Sequence, residues 1–283
     1  MNRRTFLKRS IGSMLAVVGL GGGTYYYARE IEPAMLEVTR EEISSAVIPK
    51  GFQNFKIVQF SDTHVGHHYS LDKLKKLCQK INSVTPDLIV FTGDLVDDPD
   101  TYNWNSDIVR ILSSLQAKHG KYWIYGNHDH GGYGTQTLRE VMDKAGFQLL
   151  QNSHTSINSS NESIVLAGID DVMLGKPDLD KALQGTDPDK FTILLSHEPD
   201  FAEETLHYPV HVQFSGHSHG GQVRLPFIGD LYTPDYADKY VMGKYILEGG
   251  KLELHVSRGI GTTRVPYRFL CKPQFHVYTL KSG

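Results

Sequence analysis

Cysteine is nearly absent from this chain. Cys78 and Cys271 are the only two, so at most one disulfide can form and a disulfide scaffold is excluded. Both read as small buried apolar residues away from any proposed ligand. Positive charge is scarce outside the N-terminus: residues 1–29 hold five of the 29 Lys and Arg and no acid, leaving 24 basic against 32 acidic residues. That remainder has no basic stripe, which argues against nucleic acid as a partner and leaves a small phosphoester or lipid headgroup as the better fit. There is no internal repeat, heptad run or low-complexity tract, so solenoids and coiled coils are excluded too. Long hydrophobic runs are also missing. The uncharged stretch 11–27 is cut by glycines between 19 and 24, and a membrane span needs about 20 predominantly apolar residues.

What is present suffices for one large α/β domain: 283 residues, 40% hydrophobic and 22% charged. Residues 55–60, 87–91, 121–125, 191–195 and 210–214 are short runs rich in Ile, Val, Leu, Phe, Trp and Tyr, as buried strands require. Between them, 70–82 opens on a serine cap and carries Leu71, Leu74, Leu77 and Ile81 on one face. Residues 107–115 do the same with Ile108, Ile111, Leu112 and Leu115. Residues 140–150 suggest a helix and strand. Residues 222–225, 240–247 and 252–257 read as strands of a second sheet, and 275–280 as the closing strand.

Just past each of the five strands stands a cluster of polar residues. In order they are Asp62-Thr63-His64, Gly93-Asp94, Gly126-Asn127-His128-Asp129, His197 and Gly216-His217-Ser218-His219. Any one fragment alone is weak, because a Gly-Asp pair is usually a turn and a lone histidine usually a surface or satisfied core residue. Their common position at strand C-termini, where open α/β sheets bind ligands, is what joins them. Together they supply seven oxygen or nitrogen ligands, the donor set for two divalent ions. Asp94 is the natural bridge, since a carboxylate has two oxygens to share while imidazole offers each metal one nitrogen. Asp62, His64 and His219 are assigned to one ion, and Asn127, His197 and His217 to the other. Without thiolates the set suits Mn, Zn, Fe or Co.

His128 is left without a metal. Beside Asn127 it lies at the rim of the same site, placed to protonate an ester's leaving oxygen. Either Asp97 or Asp129 can steady its charged form.

The series resembles the signature of calcineurin-like metallophosphoesterases, over residues 50–283. The resemblance implies a four-layer α/β/β/α sandwich of two mixed sheets flanked by helices, with the dinuclear centre at the strand ends. It implies the ligand assignments above, attack by a metal-bridging hydroxide, the acid role of His128, and Asp97 rather than Asp129 as its orienting carboxylate. The twin-arginine start and the stretches 126–134, 216–225 and 258–273 look like the YkuE/YaeI-like branch of exported phosphodiesterases.

Residues 1–29, with Arg3-Arg4-Thr5-Phe6-Leu7-Lys8, fit a signal read by the twin-arginine translocation machinery, although Asn2 stands where Ser or Thr is usual. Residues 30–49 read as a linker. The expected place of action is therefore extracytoplasmic, at the cell wall or the outer face of the cytoplasmic membrane. His67, His68, His130 and a mobile loop around Tyr133 are candidates for lining the cleft. Arg224, Arg258, Arg264 and Arg268 are candidates for holding a phosphate, and 264–270 for touching a membrane surface. The expected activity is a phosphodiesterase on an envelope phosphoester. The alternatives are a phosphomonoesterase, a UDP-sugar-lipid pyrophosphate hydrolase, or a non-catalytic cell-wall or metal-binding protein.

Overall fold

Apolar runs without alternation imply strands covered on both faces, and the two sheets satisfy that requirement. The computed structural model describes residues 3–4, 19–130 and 135–283. In it, β1 (Glu37–Ser45), β2 (Lys56–Phe60), β3 (Leu88–Phe91), β4 (Lys121–Trp123), β5 (Phe147–Leu149) and β14 (Gln274–Ser282) form one sheet, ordered β1-β14-β2-β3-β4-β5. β14 runs antiparallel to β2, and the other neighbours are parallel. The second sheet is β12-β13-β9-β8-β7-β6, made of β6 (Ser153–Ser159), β7 (Glu162–Gly168), β8 (Thr192–Leu195), β9 (Val212–Ser215), β12 (Gly243–Leu247) and β13 (Leu252–Val256). It too is mixed, with antiparallel pairs at both edges.

The two-residue period of a strand sorts the core into layers. Ile57, Leu88 and Val90 point between the sheets, against Ile193, Leu195 and Phe214. Val58, Ile89 and Phe91 point the other way, onto α1 (Leu71–Asn82), α2 (Ser106–Ser113) and a third long helix at Thr135–Lys144. Leu194, Leu254 and Val256 face the outer side of the second sheet, under short helices at Leu179–Ala182 and Ala202–Thr205. Burying each such side chain stabilises the fold by about 1.5–3 kcal/mol. The result is the four-layer α/β/β/α sandwich.

The caps follow local chemistry. Ser70 Oγ accepts from Lys73 N at 3.3 Å and starts α1. Asn105 accepts from Asp107 N at 2.9 Å and starts α2 one residue before the expected point.

Two expectations need correction. Residues 30–49, read as a linker, carry β1, paired with β14 over nine residues. Only Ile43 of that strand is fully buried, so its sequence EVTREEISS shows no apolar run. Residues 222–225 do not join the second sheet. Instead β10 (Arg224–Leu225) forms a small hairpin with β11 (Gly229–Asp230). A β6–β7 hairpin is also present, pairing a polar strand with an apolar, buried one. Its turn residues Ser160 and Asn161 both have positive φ, as two-residue hairpin loops demand.

At the N-terminus residues 19–26 are helical and lead into a wide turn at Tyr27–Ile31. Tyr25 and Tyr27 pack on Tyr267 and Phe269. Most of the twin-arginine segment and the loop around Tyr133 lie outside the described residues. Among the described residues no helix is long and apolar enough to cross a membrane.

Candidate metal centre

The strand order carries the chain to one place. β2, β3 and β4 of the first sheet and β8 and β9 of the second end side by side, delivering Asp62, Asp94, Asn127, His197, His217 and His219. Gly93 makes this closeness possible. Its φ is +96°, and a Cβ there would meet His197 Nδ1 at 2.6 Å and the Gly126 backbone at 2.7 Å. Gly216 is needed for space alone, since a Cβ would lie 2.6 Å from Asp62 Oδ2.

The buried donor atoms converge in overlapping groups. Asp62, His64 and His219 bring ligand atoms within 4.8 Å of one another, as do Asp62, Asp94 and His197. His64 Nε2 lies 3.0 Å from His219 Nε2 and 3.6 Å from Asp94 Oδ2, while His197 Nε2 lies 3.3 Å from that same Asp94 oxygen. Asp94 thus stands between the two histidine groups, as a bridging carboxylate must. Glu198, which the sequence did not single out, shares a third group with His197 and His217. Burial, then the neighbouring Asp171, pushes its carboxyl well above the usual range.

Charge and hydrogen bonding fit the binding of divalent cations. Asp62 and Asp94 are fully buried, and their ion-pair partners are all histidines. Burial and the nearby Asp94 raise the Asp62 carboxyl, as expected of two acids lacking a permanent cation. Asn127 Oδ1 is buried without a hydrogen-bond partner. Such orphaned atoms cost free energy unless something binds them. Burial first, then His64 and Arg268, holds His219 well below its ordinary value, so the ring is unprotonated and open to a metal.

The far side of each ring is fastened. His197 Nδ1 donates to the Thr92 carbonyl at 2.6 Å, and His217 Nε2 donates to the Asp235 carbonyl at 2.9 Å, so His217 would ligate through Nδ1. His64 Nδ1 faces Asp97 Oδ1 at 3.1 Å. Asp62 accepts from Ser61 Oγ and from His217 N. Behind His219 lies Arg268, fully buried and donating to the carbonyls of Gly261, Cys271 and Arg258. Cys271 is close to a ligand after all, because its thiol donates to the His219 carbonyl at 3.2 Å.

Asp62, His64, Asp94, His217 and His219 all have φ between +43° and +69°. For residues other than glycine that conformation costs about 1 kcal/mol or more each.

His128 sits on the turn of helix Asn127–His130, where its backbone N–H donates to Asp94 Oδ1 at 3.0 Å. Its Nδ1 donates to the backbone carbonyl of Asp97 at 2.7 Å, while the Asp97 carboxylate is 3.8 Å away. The orienting contact therefore comes from Asp97 through its main chain. Its carboxylate attends His64 and, at 3.6 Å, His67. Asp129 does neither task; it is buried and accepts from the N–H groups of Asp94, Leu95 and Gly126. Burial works against a charged His128, but Asp94 and both groups of Asp97 outweigh it and raise its affinity for a proton.

Above this floor opens a cavity of about 410 Å³, lined by Asp94, Asn127, His128, His217 and His219 at its base. Of the four arginines only Arg264 lines it, with its guanidinium 4.5 Å over the Tyr232 ring. Arg224 pairs with Asp230 and Arg258 with Glu37. His130 is turned aside to Asp170.

Sequence comparison agrees with the geometry. The model of the calcineurin-like phosphoesterase family matches residues 55–221. The chain is 47% identical to the metallophosphoesterase YkuE of Bacillus subtilis, covering 100% of this chain and 98% of that protein. It is 27% identical to the phosphodiesterase YaeI of Escherichia coli, with 97% of each covered. It is also 28% identical to the UDP-2,3-diacylglucosamine pyrophosphatase LpxG of Chlamydia muridarum, covering 93% of this chain and 94% of that one.

Proposed function

The chain belongs to the calcineurin-like phosphoesterase family and is a metal-dependent phosphoester hydrolase; from that premise we propose that it is a two-metal phosphodiesterase of the cell envelope. When bound, a pair of divalent ions supplies Lewis acidity toward the phosphate oxygens and activates water for attack at phosphorus. The chain's own residues do the rest. Asp94 would serve both ions with one carboxylate; Asp62, His64 and His219 would hold one and Asn127, His197 and His217 the other. His128 delivers the proton to the departing oxygen.

The observation that carries this reading is His128 itself. Its Nδ1 is tied to the Asp97 carbonyl, and its ring lines the same cavity as Asp94 and Asn127. That leaves Nε2 for a leaving group, an arrangement that metal storage does not require. Arg3-Arg4 ahead of a glycine-rich uncharged stretch supports export by the twin-arginine machinery and action at the wall or the outer face of the cytoplasmic membrane.

Hydrolysis of bis-p-nitrophenyl phosphate against p-nitrophenyl phosphate, before and after chelation and reloading with Mn or Zn, tests the activity. Diester cleavage that returns with metal is expected. Preference for the monoester overturns the diesterase assignment, and no metal-dependent cleavage of either favours a binding protein. A second reading, cleavage of a pyrophosphate joined to a lipid, draws support from the similarity to LpxG. Release of a nucleoside monophosphate from a nucleotide-linked lipid would favour it.

A further inference from the structure

Large apolar side chains on a protein surface are ordinary when scattered and informative when gathered beside a working cleft. The β10–β11 hairpin gathers them. Phe227 at its tip is 108% exposed and Ile228 71%, so no other part of the described chain covers them. The hairpin that holds them out is firmly rooted. Arg224 pairs with Asp230 at 3.1 Å, Arg224 N donates to the Phe269 carbonyl, and the Gln222 side chain is bonded to the backbone of Thr263 and Val265.

The tip is also continuous with the cavity. Immediately after it come Leu231 and Tyr232, both largely exposed and both lining the cavity, where Met173, Val223 and Val265 extend the apolar wall toward Asp94 and His128. Arg264 lies over Tyr232 at the rim, a cation on an amphipathic ring such as sits at headgroup level. On the far side of the 267–269 segment, which also backs the hairpin, the N-terminal helix exposes Leu20, Tyr25 and Tyr26. A freely soluble phosphoester has no use for an apolar wall leading outward to an uncovered Phe-Ile pair. An amphiphile in a bilayer has use for both.

We propose that Phe227 and Ile228 insert into a lipid bilayer, and that the enzyme takes from it an amphiphilic phosphoester whose apolar part lies along Met173, Val223, Leu231, Tyr232 and Val265. This rests on the phosphoesterase reading above. Insertion of an uncharged tip is driven by apolar burial and so survives high salt, unlike adsorption of basic residues.

The test uses the full metal-loaded chain and phosphatidylcholine vesicles in high salt. Wild type is expected to float with the vesicles, and the double variant Phe227→Asp, Ile228→Asp to lose on the order of tenfold in partitioning. Its turnover of soluble bis-p-nitrophenyl phosphate should stay unchanged. A Phe227→Trp chain should shift its emission to the blue on vesicle addition and be quenched by brominated lipid. Equal flotation of wild type and double variant, or an emission from the Phe227→Trp chain that vesicles leave unshifted, overturns the proposal. So does a wild type that sediments as a dimer and becomes monomeric only in the double variant, because the tip then joins two copies of the chain. Flotation and emission need no turnover. Failure of the metal-loaded wild type to cleave the soluble diester would therefore strike the phosphoesterase reading, and not tip insertion.

Discussion

An imidazole can hand over a proton in a fixed direction only if its other nitrogen is held, and His128 Nδ1 is held by a main-chain carbonyl. His128→Gln should therefore keep both metals and lose about 10²–10⁴-fold in turnover on alkyl phosphodiesters. The loss on p-nitrophenyl esters, which leave unaided, should be much smaller. Metal analysis alongside the two rates checks this, and metal loss or an equal drop on both ester types would refute the acid role. Asp97→Asn keeps the carbonyl but removes the carboxylate facing His64. Its expected effect is a metal affinity lower by about 10–100-fold, with the leaving-group dependence unchanged. Competition with a metal indicator measures the first, and a series of aryl esters the second. The motif order suggested that Asp97 acts on His128, but sequence cannot say which oxygen of a residue does the work. Arg268 was equally illegible. Nothing around it in sequence announces a guanidinium buried behind His219, since its partners are carbonyls brought by folding.

At the level of elements, the strands that carry ligands were plain because they are apolar on both faces and each ends in polar residues. Two of the four edge strands were not. β1 and β6 cover one face only, so their sequences are polar and their pairing is decided by partners distant in the chain. The consequence is testable by truncation. A chain beginning at residue 50 lacks β1 and Glu32, whose buried carboxylate accepts from the backbone N–H groups of Leu270 and Cys271. It would leave β14 as an exposed edge and the support of His219 unbraced. Such a chain should be poorly soluble or bind metal weakly, whereas a chain beginning at residue 19 should keep its metal stoichiometry. Equal thermal unfolding and metal content of the two would show that β1 is dispensable.

Across the whole molecule, the two sheets are joined at one end by charge as well as by packing. Glu41 of β1 faces His255 of β13 at 3.0 Å and His276 of β14 at 3.4 Å, and His255 also meets Glu253, which pairs with Lys244 of β12. The two histidines hold the Glu41 carboxyl well below the usual range, despite its partial burial. Burial opposes a charged His255, but Glu253 and Glu41 outweigh it and raise its pKa, whereas burial lowers that of His276. The signs set a window. The Glu41 contribution is present above the ordinary glutamate pKa of about 4.3 and fades as pH falls toward its depressed value. The His255 contribution is complete below about 6.5 and fades as pH rises through its raised value. Glu41→Gln should thus cost about 1–3 kcal/mol near pH 6 and less at both acid and alkaline pH. Denaturant unfolding of both proteins across that range measures it, and a cost independent of pH would refute the account.

The left-handed backbone of Asp62, His64, Asp94, His217 and His219 bears on the protein's life without its ions. Five residues held against their conformational preference form a loaded spring that ligation would help to keep shut. A ligand that binds only the folded form raises its melting temperature by mass action. Chelation should accordingly lower the calorimetric midpoint by several degrees, and reloading restore it. If the midpoint did not move, the spring would be held by the fold alone. If it does, melting temperature becomes a direct gauge of metal loading, readable before any substrate is known.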